Sequence, residues 1–69
     1  MNIQSAIIQG IDVLKNKDIK TAKLDTEILM SKVLGKDKKY IFLNNDKNLK
    51  NKDLRCFRKL IKELSLIHI

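Results

Sequence analysis

Cys56 and His68 are the only thiol and the only imidazole in this chain, and so its only candidates for nucleophilic chemistry. A thiol becomes a useful nucleophile when a base takes its proton and a third group orients that base. Here Cys56 falls at the edge of an apolar helical arc, which suits a small apolar residue at a core edge. His68 falls in a C-terminal stretch where the helical pattern breaks. The carboxylates of Asp25 and Glu27 stand about 200° apart around a helix and cannot share a proton as an acid–base pair. First-turn charge and local pairing account for them, with Asp25 also able to cap or to pair with a loop group. One Cys and one His cannot supply the three or four ligands that zinc usually takes. No catalytic, cofactor-binding or metal site is expected. The remaining chemistry is electrostatic: Arg55, Arg58, Lys59 and Lys62 form a basic ridge on the last helix. They are the candidate partner contacts, against the competing reading of a solvated helix face.

These residues need a scaffold, and the composition limits which one. The chain has 69 residues, enough for one small domain, and a single cysteine, so no intrachain disulfide can staple it. A domain of this length buries only about 60% of its unfolded surface. Gln9 and Asp12 interrupt the N-terminal apolar residues and no basic n-region precedes them, which excludes a signal peptide. No run of about 18 apolar residues occurs, so no membrane span is expected. A reduced, cytoplasmic monomer is the expectation. The net charge of +7 invites an acidic partner. However, the basic residues are mostly lysines, and Asn and Ile are abundant too; an AT-rich genome alone would produce that composition. Aromatic residues make up 4% of the chain, too few for the stacking platforms of a single-strand nucleic-acid binder.

The chain contains no proline and its apolar residues recur with helical period, which predicts an all-α fold: a small bundle of about four to five helices. A first helix over residues 3–15 gathers Ile3, Ala6, Ile7, Gly10, Ile11, Val13 and Leu14 on one arc. Gly10 costs about 1 kcal/mol of helix propensity relative to Ala, and a close approach by another helix would explain its place there. A polar loop follows, with Ile19 tucked beneath it. Residues 21–35, TAKLDTEILMSKVLG, read as one capped helix. The Thr21 hydroxyl can accept from a first-turn N–H, and Gly35 can take the left-handed conformation that closes a helix. Ala22, Leu29, Met30 and Val33 share one side, while Leu24 and Ile28 form a pair on another. The expectation is a central helix buried on two sides, with Ile28 and Leu29 both in the core. Asp37 is a fair cap for a short helix over residues 38–43, although Tyr40, Ile41, Phe42 and Leu43 run consecutively like a buried strand. The last helix begins near Asn51, with Leu49 and Leu54 at the spacing of a hydrophobic staple. Its apolar arc is Leu54, Phe57, Leu60, Ile61 and Leu64.

With the helices placed, the run Thr21, Leu24, Asp25, Glu27, Leu29, Met30, Val33, Leu34, Gly35, Lys36 resembles the second helix of the N-terminal domain of bacterial release factor glutamine methyltransferases. That helix reads roughly S-x-x-L-D-A-E-x-L-L-x-x-V-L-G-K, and Thr26 replaces its usual alanine. Asp37 and Leu49 match the residues that precede the family's next two helices. The resemblance runs from Ile3 to about Glu63 and implies that residues 1–63 are one N-terminal helical domain. It implies a substrate-recognition domain that helps position a class I peptide chain release factor for methylation of its Gly-Gly-Gln glutamine. It also implies that the S-adenosylmethionine site and an Asn-Pro-Pro-Tyr motif lie in a separate catalytic domain missing here. The fragment alone is therefore expected to be inactive and to bind no cofactor.

A small basic helical nucleic-acid-binding protein is the alternative. A helix-turn-helix reader needs polar base-reading residues on its recognition helix, and none of Asn, Gln, Ser or Thr occurs between Asp53 and Leu64. Residues 64–69, LSLIHI, break the pattern of the last helix, since Leu66 and Ile69 would point to its basic side. They are also the translation of CTG-TCT-CTT-ATA-CAC-ATC, which resembles the end of a widely used sequencing transposon adapter. These residues are expected to be a non-native tail.

Overall fold

The computed structural model describes residues 1–67, which form four helices: α1 (Ile3–Asn16), α2 (Ala22–Leu34), α3 (Lys38–Leu43) and α4 (Asn51–Ile67). No strand occurs among the described residues, so Tyr40 to Leu43 is helical and the expected all-α bundle is present. His68 and Ile69 lie outside the described residues. Helices α1, α2 and α4 pack on one another, and α3 packs mainly on α2.

Side-chain caps start α1 and α3. The side chain of Asn2 accepts from the Ser5 N–H at 2.8 Å and caps α1. Asp37 caps α3 as its position predicts, accepting from the Tyr40 N–H at 2.9 Å. Thr21 departs from expectation. No side-chain cap bond forms at the start of α2; instead its hydroxyl donates to Asp25 Oδ2 at 2.7 Å. A carboxylate is the stronger acceptor for a hydroxyl proton, and it draws the Thr21 side chain away from the first-turn amides.

Helices α1 and α2 end in left-handed residues. Gly35 has φ +66°. The Gly35 N–H reaches Lys32 O at 3.3 Å and the Lys36 N–H reaches Ser31 O at 3.2 Å, the paired bonds that satisfy the last carbonyls of a helix. Asp18 closes α1 in the same way at φ 59°. Its N–H donates to Lys15 O at 2.9 Å and that of Ile19 to Leu14 O at 3.1 Å. This bond turns Ile19 inward, and Ile19 is buried as expected.

The core draws on every helix: Ile3, Ala6 and Leu14 from α1, Ala22 and Met30 from α2, Ile41 from α3, Phe57 and Ile61 from α4, with Ile19 and Leu49 from the loops. Burying such a side chain contributes about 1.5–3 kcal/mol. The expected two-sided burial of α2 is not observed. Its buried line is Ala22, Thr26 and Met30, whereas Leu24 and Ile28 are 46% and 38% exposed. Leu29 and Val33 are half-buried against the core. The reason is visible at Gly10. A Cβ there would stand 2.9 Å from Thr26 Cγ2, 3.1 Å from Ile61 Cδ1 and 3.1 Å from Phe57 Cζ. Helix α1 approaches α2 along its small residues, so Leu24 and Ile28 are turned away from the contact. Thr26 is fully buried and satisfies its hydroxyl by donating to Ala22 O at 2.6 Å.

The N-terminus is tied to the loop before α4. The Ile3 N–H donates to Lys47 O, the Gln4 N–H to Asn45 O and the Leu49 N–H to Met1 O, each at 2.9 Å. Asn2 and Asn48 form an isolated antiparallel bridge. The Tyr40 ring lies under the ammonium groups of Lys36 and Lys47, 5.5 and 5.7 Å from its centroid, which holds this loop against α3. Helix α4 begins where the Leu54 N–H donates to Lys50 O at 2.9 Å, with Leu49 buried and Leu54 half-buried as the staple spacing predicts.

Candidate functional site

The basic ridge is real as a surface but divides in two. Arg55, Arg58, Lys59 and Lys62 are all exposed along α4. Arg55 and Lys59, with Lys52 and Cys56, line a shallow depression on one side. Arg58 and Lys62 border a groove of about 310 Å³ on the other side, between α4 and α1. At about 100° per residue the four share one arc, with Arg58 and Lys62 at its α1 side and Arg55 and Lys59 at the other.

The groove has an apolar floor. Ala6, Gly10 and Val13 come from α1, and Leu54, Phe57 and Ile61 from α4. Val13, expected among the inward residues of α1, is 41% exposed at its margin. Gln9, Arg58, Lys62 and Ser65 are its polar neighbours, and among the described residues no carboxylate lines it. The Arg58 guanidinium reaches across to Gln9 Oε1 at 3.4 Å and to Met1 Sδ at 3.9 Å. Both acceptors are neutral and both contacts are long, so the cation is weakly held.

Cys56 is exposed and not at a core edge as expected. The tight fit of α1 onto Phe57 and Ile61 turns the neighbouring position outward. Asp25 is engaged with Thr21, and Glu27 borders a second depression, shared by α1, α2 and α3. That depression holds Ile7, Ile8, Ile41 and Phe42 with Lys23 and Lys38. Phe42 and Leu43 beside it are 77% and 66% exposed. Among the described residues, no group of three or more His, Cys, Asp or Glu side chains could hold a metal. No helix there is long and apolar enough to cross a membrane.

A nucleotide-type cofactor needs a glycine-rich turn that lets backbone approach it. The two glycines of this chain do not provide one. Gly10 is enclosed by Thr26, Phe57 and Ile61, and Gly35 terminates α2 alone. The residues present do not fit S-adenosylmethionine.

Sequence reasoning found the cations but missed the groove beside two of them. The available signal was the pair of small residues, Ala6 and Gly10, on an otherwise bulky arc.

The architecture defines a small all-α domain with exposed basic residues and an apolar groove on its surface. The family model described as the PrmC N-terminal domain matches residues 5–66, and the chain belongs to that family. It is similar to a curated protein of Clostridium botulinum named release factor glutamine methyltransferase, 33% identical over 61 residues. That match takes in 88% of this chain and 22% of the relative, so the chain spans about a fifth of the relative's length. No solved structure matches.

Proposed function

We propose that this domain recognises a class I peptide chain release factor on behalf of a protein-glutamine methyltransferase. The transfer chemistry, with S-adenosylmethionine as methyl donor, belongs to a domain outside these 69 residues. The observation that carries the reading is the match of nearly the whole chain to the N-terminal part of a release factor glutamine methyltransferase family. The lack of a cofactor cradle in this part supports a division of labour between binding and chemistry. Arg55, Arg58, Lys59 and Lys62 are the contacts we assign to the partner.

A lone recognition domain binds weakly, because linking two contact sites raises affinity by about 10²–10⁴ through effective concentration. Calorimetry with S-adenosylmethionine and surface binding with a purified release factor test the proposal. The expected results are no heat with the cofactor and weak, salt-sensitive binding to the release factor. Cofactor binding by this chain, or no release factor binding at any salt concentration, would overturn it.

A further inference from the structure

We infer that the groove between α1 and α4 is a docking site for an apolar protein segment that carries carboxylates beside its apolar side chains. The inference rests on the recognition reading above and specifies the face and the chemistry it would use. Three observations support it.

The first is shape. The groove runs between two helices with a volume of about 310 Å³; Val13, 41% exposed, is its accessible apolar side chain, above a base of Ala6, Gly10, Phe57 and Ile61 that is itself buried. That volume is near the lower end of the roughly 300–1,000 Å³ of ligand pockets, and an open trough between helices is the usual receptor for the apolar face of a peptide segment.

The second is charge. Arg58 and Lys62 stand at the rim and, among the described residues, no carboxylate lines the groove. The depression near Phe42, by contrast, is lined by Glu27 as well as by Lys23 and Lys38. The third is the weak hold on Arg58. Its acceptors are neutral, at 3.4 and 3.9 Å. A carboxylate offers a shorter, charge-assisted bond, so exchange of Gln9 for an incoming carboxylate is favourable.

The same facts argue against other occupants. A second copy docking by a two-fold contact would bring equal surfaces together, setting Arg58 and Lys62 against their own counterparts in a chain of net charge +7. Nucleic acid would bring phosphates to the rim but no apolar side chain for the floor. The aromatic ring of the floor, Phe57, is 1% exposed and presents no stacking face.

The test uses the ¹⁵N-labelled 69-residue chain and two kinds of probe. One is a purified class I release factor. The other is a synthetic Leu/Glu amphipathic helical peptide, beside a Leu/Lys peptide of the same length. Expected are amide shifts at Gln9, Gly10, Val13 and Ser65 with the release factor and with the Leu/Glu peptide, and none with the Leu/Lys peptide. Arg58→Glu and Val13→Asp, both at exposed positions, should each weaken binding by about five-fold or more while the free spectrum stays dispersed. Release factor binding that shifts Ile8 and Phe42 instead would overturn the groove and leave the recognition reading standing. Groove shifts with the Leu/Glu peptide but no release factor binding would support the groove and overturn the recognition reading. Equal binding of both peptides, or no binding of the Leu/Glu peptide, would overturn the docking chemistry itself.

Discussion

Gly10 of α1 faces Thr26 of α2 so closely that a Cβ on the glycine would stand 2.9 Å from the threonine methyl. The threonine cannot turn aside, because its hydroxyl is held by Ala22 O at 2.6 Å and β-branching stiffens its side chain. This contact sets the distance between the two helices and, with it, which side of α2 is buried.

Gly10→Ala should therefore destabilise the domain. Overpacking costs about 1–3 kcal/mol, which exceeds the roughly 1 kcal/mol gained in helix propensity. Thr26→Ser removes the opposing methyl and keeps the hydroxyl. Thermal melts of the single and double variants should show Gly10→Ala better tolerated in the Thr26→Ser background. Strict additivity would mean the two residues do not collide.

Met30→Ala should cost about 2–5 kcal/mol, the range for a buried large-to-small change, since Met30 is 0% exposed. Ile28→Ala should cost much less, because Ile28 is already 38% exposed. Urea denaturation of both variants checks this, and a larger loss for Ile28→Ala would contradict the observed orientation of α2.

The contrast between Met30 and Ile28 marks where the sequence could be read and where it could not. Helix α1 was largely legible because most of its apolar residues occupy one arc, with the exposed Val13 at its margin and Ile8 outside it. The caps at Asp37 and Gly35 were legible because their residue types are tied to local geometry. Helix α2 has apolar residues around most of its circumference, so periodicity alone does not select a buried side. Closest packing selected the small residues Ala22 and Thr26, and left the larger Leu24 and Ile28 outside. The basic ridge could be read from charge, but the groove beside Arg58 and Lys62 depends on how near α1 lies to α4. The ties between residues 1–4 and 45–49 are made by backbone groups, which leave no side-chain pattern.

The two left-handed helix ends should respond oppositely to exchange of side chain. Asp18→Gly should stabilise the domain by up to about 1 kcal/mol, and Gly35→Ala should destabilise it by about 1 kcal/mol. No atom lies within 4 Å of a Cβ at Gly35, so its loss would be purely conformational. Paired melting curves check both signs.

The C-terminal residues permit a genetic test. Helix α4 extends to Ile67, Leu64 packs against the core and Ser65 is buried, its hydroxyl donating to Lys62 O at 2.7 Å. We expect an independently cloned copy of the gene to encode a different sequence after Glu63, with an apolar residue kept at position 64, followed by a proline-containing linker and a methyltransferase domain. The same LSLIHI in that copy would overturn the expectation of a non-native tail.

The backbone ties between the N-terminus and the loop before α4 couple two segments far apart in sequence. The amides of Ile3 and Gln4 belong to the first turn of α1, where no intrahelical acceptor exists, and they are satisfied by Lys47 O and Asn45 O. Lifting that loop exposes the start of α1 to water, and fraying α1 frees Leu49 from Met1 O. In native-state hydrogen exchange, Ile3, Gln4 and Leu49 should therefore open as one cooperative unit with a shared protection factor.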